Sequence, residues 1–239
     1  YVYLSRSPLA ASLKELTRID RRFWGVYLGV AAPVVANEVL WSVGTSLYNA
    51  VYAHIGTEQL AAVSVAITIL NLASVIFNGI STACGIMVGN AIGAGQPEKA
   101  YLVAKRSLIL GGGLALVVGT GLFLARFAAI DLFQLSAATR QYAYDVLGVL
   151  SFAVIFRAFN PTIIVGTLRS GGDVRYSALL DVGAVWLVGV PLAFLGGYVL
   201  HLPIHWVVVC ALGEGLSKSI IGLRRVASKK WMHDLTKVY

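Results

Sequence analysis

Apolar residues run in six long stretches along the chain, at about 23–52, 60–88, 108–129, 142–167, 176–199 and 206–223, separated by short polar segments. A bilayer's hydrocarbon core takes about 20 helical residues to cross, and each stretch approaches or exceeds that length. The pattern predicts an all-α membrane protein with six transmembrane helices. Glycines at the end of the second stretch, in GNAIGAGQPEKAYLVAKRS, predict a helix stop, and Pro97 predicts the first turn of the next helix. The segment LRSGGDVRY predicts a tight turn at its two glycines, with Asp173 capping the helix that follows.

Polar residues inside these stretches are few and therefore informative. Glu38 lies roughly 21 Å along the first helix from Trp24, at 1.5 Å per residue, too deep to reach the near interface. An intramembrane carboxylate costs about 2.5–3.5 kcal/mol to insert, so it points to function and calls for a partner or a bound cation. Glu38, Trp41, Thr45, Tyr48 and Tyr52 recur every three or four residues, which places an acid and several aromatic rings on one helical face. Pro33, five residues before the acid, favours a kink or a free carbonyl. In the second stretch Ser64, Thr68, Asn71, Asn78 and Thr82 form a polar stripe, readable as interhelical hydrogen bonding or as a cavity wall. Ser81, Gly85, Gly89 and Gly93 form a small-residue stripe that reads as a packing face.

Further along, Arg157 and Asn160 precede Pro161 in the fourth stretch, and Arg157 is too deep to snorkel freely, so it wants an anion. Asp181 lies one to two turns inside the fifth stretch, where it can reach the interface or pair with Arg169 or Arg175. Glu214 and Lys218, at i and i+4, are placed to neutralise each other. Gly111 to Gly113 in the third stretch read as packing, and His54, His201 and His205 fall in or beside loops.

Composition sharpens this picture. The 239 residues are 58% hydrophobic and 13% charged, with a mean hydropathy of +0.78, far from a soluble domain. The net charge of +8 does not point to nucleic acid, because the basic residues sit between the apolar stretches. Fifteen of the 19 Lys and Arg fall in alternate polar segments, before stretch one, between two and three, between four and five, and after six. By the positive-inside rule both termini are cytoplasmic, in a cell-membrane protein. The opening segment, residues 1–22, reads as a basic cytoplasmic linker, and a first residue that is Tyr rather than Met suggests continuation from a longer chain. Cys84 and Cys210 lie in apolar stretches without a CxxC or Cys/His cluster, so neither a disulfide framework nor a metal site is expected. No phosphate loop and no catalytic constellation is present, which speaks against an ATPase or any enzyme, and no cofactor is implied.

Three segments, NEVLWSVGTSLYNAVYAHIG, VGNAIGAGQPEKAYLVAKRS and TLRSGGDVRYSALLDVGAVWLVGVPLAF, resemble the C-terminal half of a multidrug and toxic compound extrusion (MATE) transporter. The resemblance covers nearly the whole chain and implies one six-helix lobe of a twelve-helix exporter. Such exporters exchange amphipathic, often cationic compounds for protons or sodium ions. Glu38 takes the place of the acid associated with cation coupling and substrate binding, with Asp181 as a second candidate. Asn37, Trp41, Thr45, Tyr48, Asn71, Asn78, Arg157 and Asn160 are the expected cavity wall. One departure stands out: many members carry an acid about ten residues before the loop that follows stretch four, and here that position is Ala158, beside Arg157. The implied partners are a small-molecule substrate, an organic cation first of all, membrane lipid, and an N-terminal lobe or a second copy. A flippase for lipid-linked precursors and a non-transporting assembly module are the alternatives.

Overall fold

The structure, a computed structural model, describes residues 21–233. The first twenty residues, and with them nearly all of the expected linker and the basic residues Arg6, Lys14 and Arg18, lie outside the described residues, as does Lys237. Among the described residues six helices are long and apolar enough to span a bilayer. They are α1 (Arg21–Ile55), α2 (Thr57–Gly93), α3 (Pro97–Asp131), α4 (Ala137–Arg169), α5 (Val174–Val199) and α6 (Ile204–Ala227). No strand is present among these residues. Each helix extends beyond the apolar stretch that predicted it. Pro97 opens α3, as its missing N–H and fixed φ favour, so Lys99, Lys105 and Arg106 ride on the helix rather than in a loop.

Two helices change their winding along their length. After Pro161, α4 passes into a π-helical segment, Thr162–Arg169, and α5 contains π turns at Val185–Gly189 and Leu195–Val199, on either side of Pro191. A proline inside a helix lacks one N–H and crowds the carbonyl four residues back. Hydroxyls follow the wider turn: Thr167 Oγ1 donates to the Thr162 carbonyl at 2.9 Å and Ser170 Oγ to that of Val165 at 2.9 Å. From α2, Ser81 Oγ donates to the Pro161 carbonyl at 2.8 Å, tying the winding change to a neighbour.

Close approach at glycine sets the helix spacing. A Cβ at Gly166 would stand 2.8 Å from the Ser81 carbonyl oxygen, and one at Gly119 would stand 2.7 Å from that of Ser151. The small-residue stripe on α2 is thus a packing face against α4 at Ser81, Gly85 and Gly89. It is not one at Gly93, where a Cβ would meet nothing within 4 Å. Leu72, Leu124, Phe152, Leu179 and Leu187 point outward, as they should where acyl chains replace water as the solvent.

The basic end of the bundle is locked by the segment after α6. Trp231 is fully buried and packs over Gly171, where a Cβ would overlap its ring, while the His233 N–H donates to the Gly171 carbonyl at 2.8 Å. The tight turn is present, with Gly172 at φ +91°. Asp173 stands at the start of α5 but makes no side-chain cap. Its carboxylate instead accepts from Arg225 Nε at 2.8 Å, because a guanidinium from α6 offers a charged donor that outcompetes a backbone amide.

Gly166→Ala is expected to lower the thermal unfolding midpoint of the purified protein in detergent by the equivalent of about 1–3 kcal/mol, the cost of overpacking against backbone. Gly113→Ala, where a Cβ would meet nothing within 4 Å, is the matched control and should leave the midpoint unchanged.

Candidate functional site

The helices enclose a cavity of about 660 Å³. Its wall is built from α1, α2, α4, α5 and α6; α3 contributes nothing to it. Glu38, Trp41, Thr45, Tyr48 and Tyr52 all face it from α1, together with Asn49, and Asn71 and Asn78 face it from α2. Arg157, Asn160 and Arg169 come from α4, Asp181 from α5, and Glu214 and Lys218 from α6. Asn37 is the exception among the expected wall residues. It is buried behind the wall and donates through Nδ2 to Asp181 Oδ2 at 3.0 Å.

One connected network joins the charged groups. Arg169 Nη1 donates to Glu38 Oε1 at 3.0 Å, and its Nη2 lies 3.8 Å from Asp181 Oδ2. Lys218 Nζ is 2.8 Å from Asp181 Oδ1 and 3.6 Å from Glu214 Oε1. The Tyr48 hydroxyl donates to Glu214 Oε2 at 2.6 Å. Side chains of four helices are thereby joined in one network. The i,i+4 pair on α6 is present, but Lys218 sits closer to Asp181 on α5 than to Glu214 on its own helix. Asp181 therefore faces inward to Lys218, Arg169 and Asn37 instead of reaching the interface, and Arg175 is not its partner.

Burial explains the pairing. The Lys218 side chain is 5% exposed, and nine residues of helix, about 14 Å, separate it from the end of α6. It cannot snorkel, and an unpaired charge at that depth is strongly unfavourable. The Glu38 side chain, by contrast, is 58% exposed. It opens onto the cavity, and among the described residues its one cationic partner is Arg169 and not Arg157. Asn37 Oδ1 and Arg169 Nε are buried without hydrogen-bond partners.

The remaining wall residues divide into two kinds. Asn160 is a helix tie: its Nδ2 donates to the Gly215 carbonyl at 3.3 Å and its Oδ1 accepts from Ser219 at 2.8 Å. Ser64, Thr68 and Thr82 return their hydroxyls to carbonyls of α2 itself. Asn71, Asn78 and Arg157 line the cavity without a hydrogen bond or ion pair to any described residue. The α1–α5 contact that positions Tyr48 depends on Gly189, where a Cβ would overlap the tyrosine hydroxyl, and on Trp186 Nε1, which donates to the Leu40 carbonyl at 3.2 Å. His54 stacks on Tyr198 at 3.9 Å. Both cysteines are free, and no cluster of potential metal ligands exists among the described residues.

Sequence reasoning placed Glu38, Asp181 and the aromatic face, and missed Arg169, Lys218 and Glu214 as wall residues. Arg169 sits next to a loop and reads as an interfacial anchor. For Lys218 the sequence offered the i,i+4 pair with Glu214, and nothing local pointed from it to Asp181, whose expected partners were Arg169 and Arg175.

Together these features define a membrane-embedded helical lobe around a cavity lined by charged and aromatic side chains. The MatE family profile matches residues 33–195. A "Probable multidrug resistance protein NorM" from Pseudomonas aeruginosa is 34% identical over 196 residues, 79% of this chain and 37% of that protein. Another of that name from Pseudomonas syringae pv. tomato is 27% identical over 80% of this chain and 42% of its own length. The chain spans about half the length of the curated relatives it matches, or less. An outward-facing multidrug resistance MATE family transporter of the MOP superfamily superposes with a TM-score of 0.81 at 17% identity, over 96% of this chain and 52% of that one. A MOP superfamily transporter from Pyrococcus furiosus, described as having a binding pocket of reverse polarity, superposes at 0.77 with 19% identity, over 88% and 47%. The chain belongs to the MatE family, whose members are membrane transporters and not enzymes.

Lys218→Met should destabilise the lobe by about 3–5 kcal/mol in thermal unfolding, because it strands Asp181 and Glu214 without their shared cation. Adding Asp181→Asn should recover part of that loss, and the recovery, read in a double-mutant cycle, measures the pair.

Proposed function

We propose that this chain is one lobe of an exporter that expels amphipathic or cationic drugs in exchange for protons or sodium ions, with Glu38 as the exchange point. The lobe is residues 23–239, with residues 1–22 as a cytoplasmic linker to an N-terminal six-helix lobe or a second copy. The protein sits in the cell membrane with both termini cytoplasmic, a reading that the distribution of Lys and Arg supports.

The observation that carries this reading is the unequal burial of the three acids. Asp181 and Glu214 are held by a buried lysine, whereas Glu38 opens onto the cavity with a single ion-pair partner. An acid held by one guanidinium can exchange that partner for another cation. Trp41 and Tyr48 stand on the same helical face, and aromatic faces favour organic cations. A proton or sodium ion arriving at Glu38 then competes with the drug. A membrane potential adds about 2.3 kcal/mol per charge per 100 mV to drive the exchange.

The lipid-precursor flippase is the weaker reading. A pyrophosphate head group calls for several free bases in the cavity, and Arg169 and Lys218 are already committed to acids, leaving Arg157.

In proteoliposomes containing the complete transporter, Glu38→Gln should reduce gradient-driven drug efflux at least tenfold while leaving expression and thermal stability close to those of the parent. Imposing pH and sodium gradients separately identifies the coupling ion, and efflux unchanged by the substitution under both gradients overturns the role given to Glu38.

A further inference from the structure

A second hollow, a groove of about 360 Å³, lies between α3 and the last turns of α6 and shares no residue with the cavity. Its wall includes the exposed Ile109 and Leu223 and the buried Leu108 and Val226, so it opens to the outside of the bundle. Phe159 of α4 lies against Gly112, where a Cβ would stand 3.2 Å from its ring, and at Gly113 a Cβ would meet nothing within 4 Å. The missing side chains of these two glycines leave the room. On the face of a membrane bundle such a slot meets acyl chains and not water.

The polar part of the groove is confined to one end. Among its lining residues only Tyr101 and Lys105 carry polar side-chain atoms, and at i and i+4 on α3 they share one face. Neither the Lys105 ammonium nor the Tyr101 hydroxyl has a hydrogen bond or ion pair to a described residue. From Lys105 to Gly113 the groove descends about 12 Å along the helix. That depth fits within a single leaflet, whose share of the hydrocarbon core is roughly 15 Å.

Charge around this end is one-sided. Over residues 97–106 and 223–230 there are seven Lys and Arg against one acid, Glu98. Glu98 is taken by Lys229, whose Nζ stands 2.8 Å from both of its oxygens and 4.7 Å from the centre of the Tyr101 ring. Arg225 is taken by Asp173. Lys99, Lys105, Arg106, Arg224 and Lys230 make no ion pair with any described residue. One-sided charge at the mouth selects an anionic occupant, and the apolar slot below it selects a chain.

We infer that this groove is a binding site for an anionic phospholipid of the surrounding bilayer, with one acyl chain beside Phe159 and Gly113 and the phosphate at Lys105 and Tyr101. An ammonium and a phenol are both donors to phosphate oxygens. With both termini cytoplasmic, as proposed above, the basic end faces the leaflet whose anionic lipids attract Lys and Arg beside a membrane span.

The complete transporter, freed of lipid in detergent, is titrated with phosphatidylglycerol and with phosphatidylcholine of the same acyl chains, and bound lipid is counted by native mass spectrometry. The parent should bind phosphatidylglycerol the more tightly. Lys105→Gln should weaken phosphatidylglycerol binding about fivefold, the equivalent of ~1 kcal/mol for one basic residue at an anionic membrane surface, and change phosphatidylcholine less than about twofold. Lys99→Gln removes a charge from the same helix outside the groove and should change neither lipid by more than about twofold on that scale. Gly113→Leu fills the slot, leaves every charge in place and should weaken both lipids. An equal effect of Lys99→Gln and Lys105→Gln would reduce the attraction to diffuse surface charge and overturn the site. So would a parent that binds the two lipids equally, or a Gly113→Leu variant that binds phosphatidylglycerol as the parent does. A lower thermal unfolding midpoint for Gly113→Leu in lipid-free detergent also overturns it, because protein, such as another lobe of the transporter, would then occupy the groove.

Discussion

Ionised side chains placed inside a bundle that is surrounded by hydrocarbon must find each other, and the geometry of this lobe follows from that requirement. Lys218 has no route to water along α6, so Asp181 and Glu214 must stand within its reach. Asp181 in turn draws Asn37 and Arg169, and Arg169 draws Glu38. The result is a set of contacts linking α1, α4, α5 and α6, with directionality that apolar packing lacks. Without a hydrophobic force between helices in lipid, such polar links and close packing are what distinguish one arrangement of six apolar rods from another.

Close packing supplies the other half. Gly119 and Gly166 bring helix backbones together, and the π-helical turns after Pro161 and around Pro191 rotate the later parts of α4 and α5 relative to their beginnings. That rotation places Arg169, at the end of α4, against residues seventeen positions into α1 and seven positions into α5. A straight α-helix through Pro161 would present a different face there. Gly189 completes the arrangement by leaving space for the Tyr48 hydroxyl to meet Glu214. Close approach at these glycines and the changes of winding thus position the helices whose polar side chains line the cavity.

The division of charge around the hollow connects this architecture to what the family does. MatE proteins are transporters, and a transporter's site must hold its cargo without holding it permanently. On the reading proposed above, a network in which two acids are held by a buried lysine and a third is exposed with a single described partner divides structural from exchanging groups. The two less exposed acids tie the helices together through Lys218, while Glu38 is the more exposed to the cavity. Arg157 lines the same wall outside that network.

Much of this was legible in the one-dimensional pattern. Six apolar stretches, the stop after Gly93, the proline that opens α3 and the aromatic face around Glu38 follow from hydropathy and helical periodicity, which are local properties of the chain. So did the need for partners at Glu38, Arg157 and Asp181, because the cost of a charge in hydrocarbon depends only on its depth. Which groups answered that need was not local. Arg169 to Glu38 spans 131 positions and Tyr48 to Glu214 spans 166, and the π turns that bring α4 and α5 into register have no simple periodic signature. Asp173 illustrates the same limit, since its position marks a helix start but the choice between a backbone amide and Arg225 was made by a helix fifty residues away. Local chemistry called for partners at these positions; the tertiary arrangement chose them for Glu38 and Asp181 and gave Arg157 no ion pair among the described residues, because only folding brings competing partners within a few ångströms of one another.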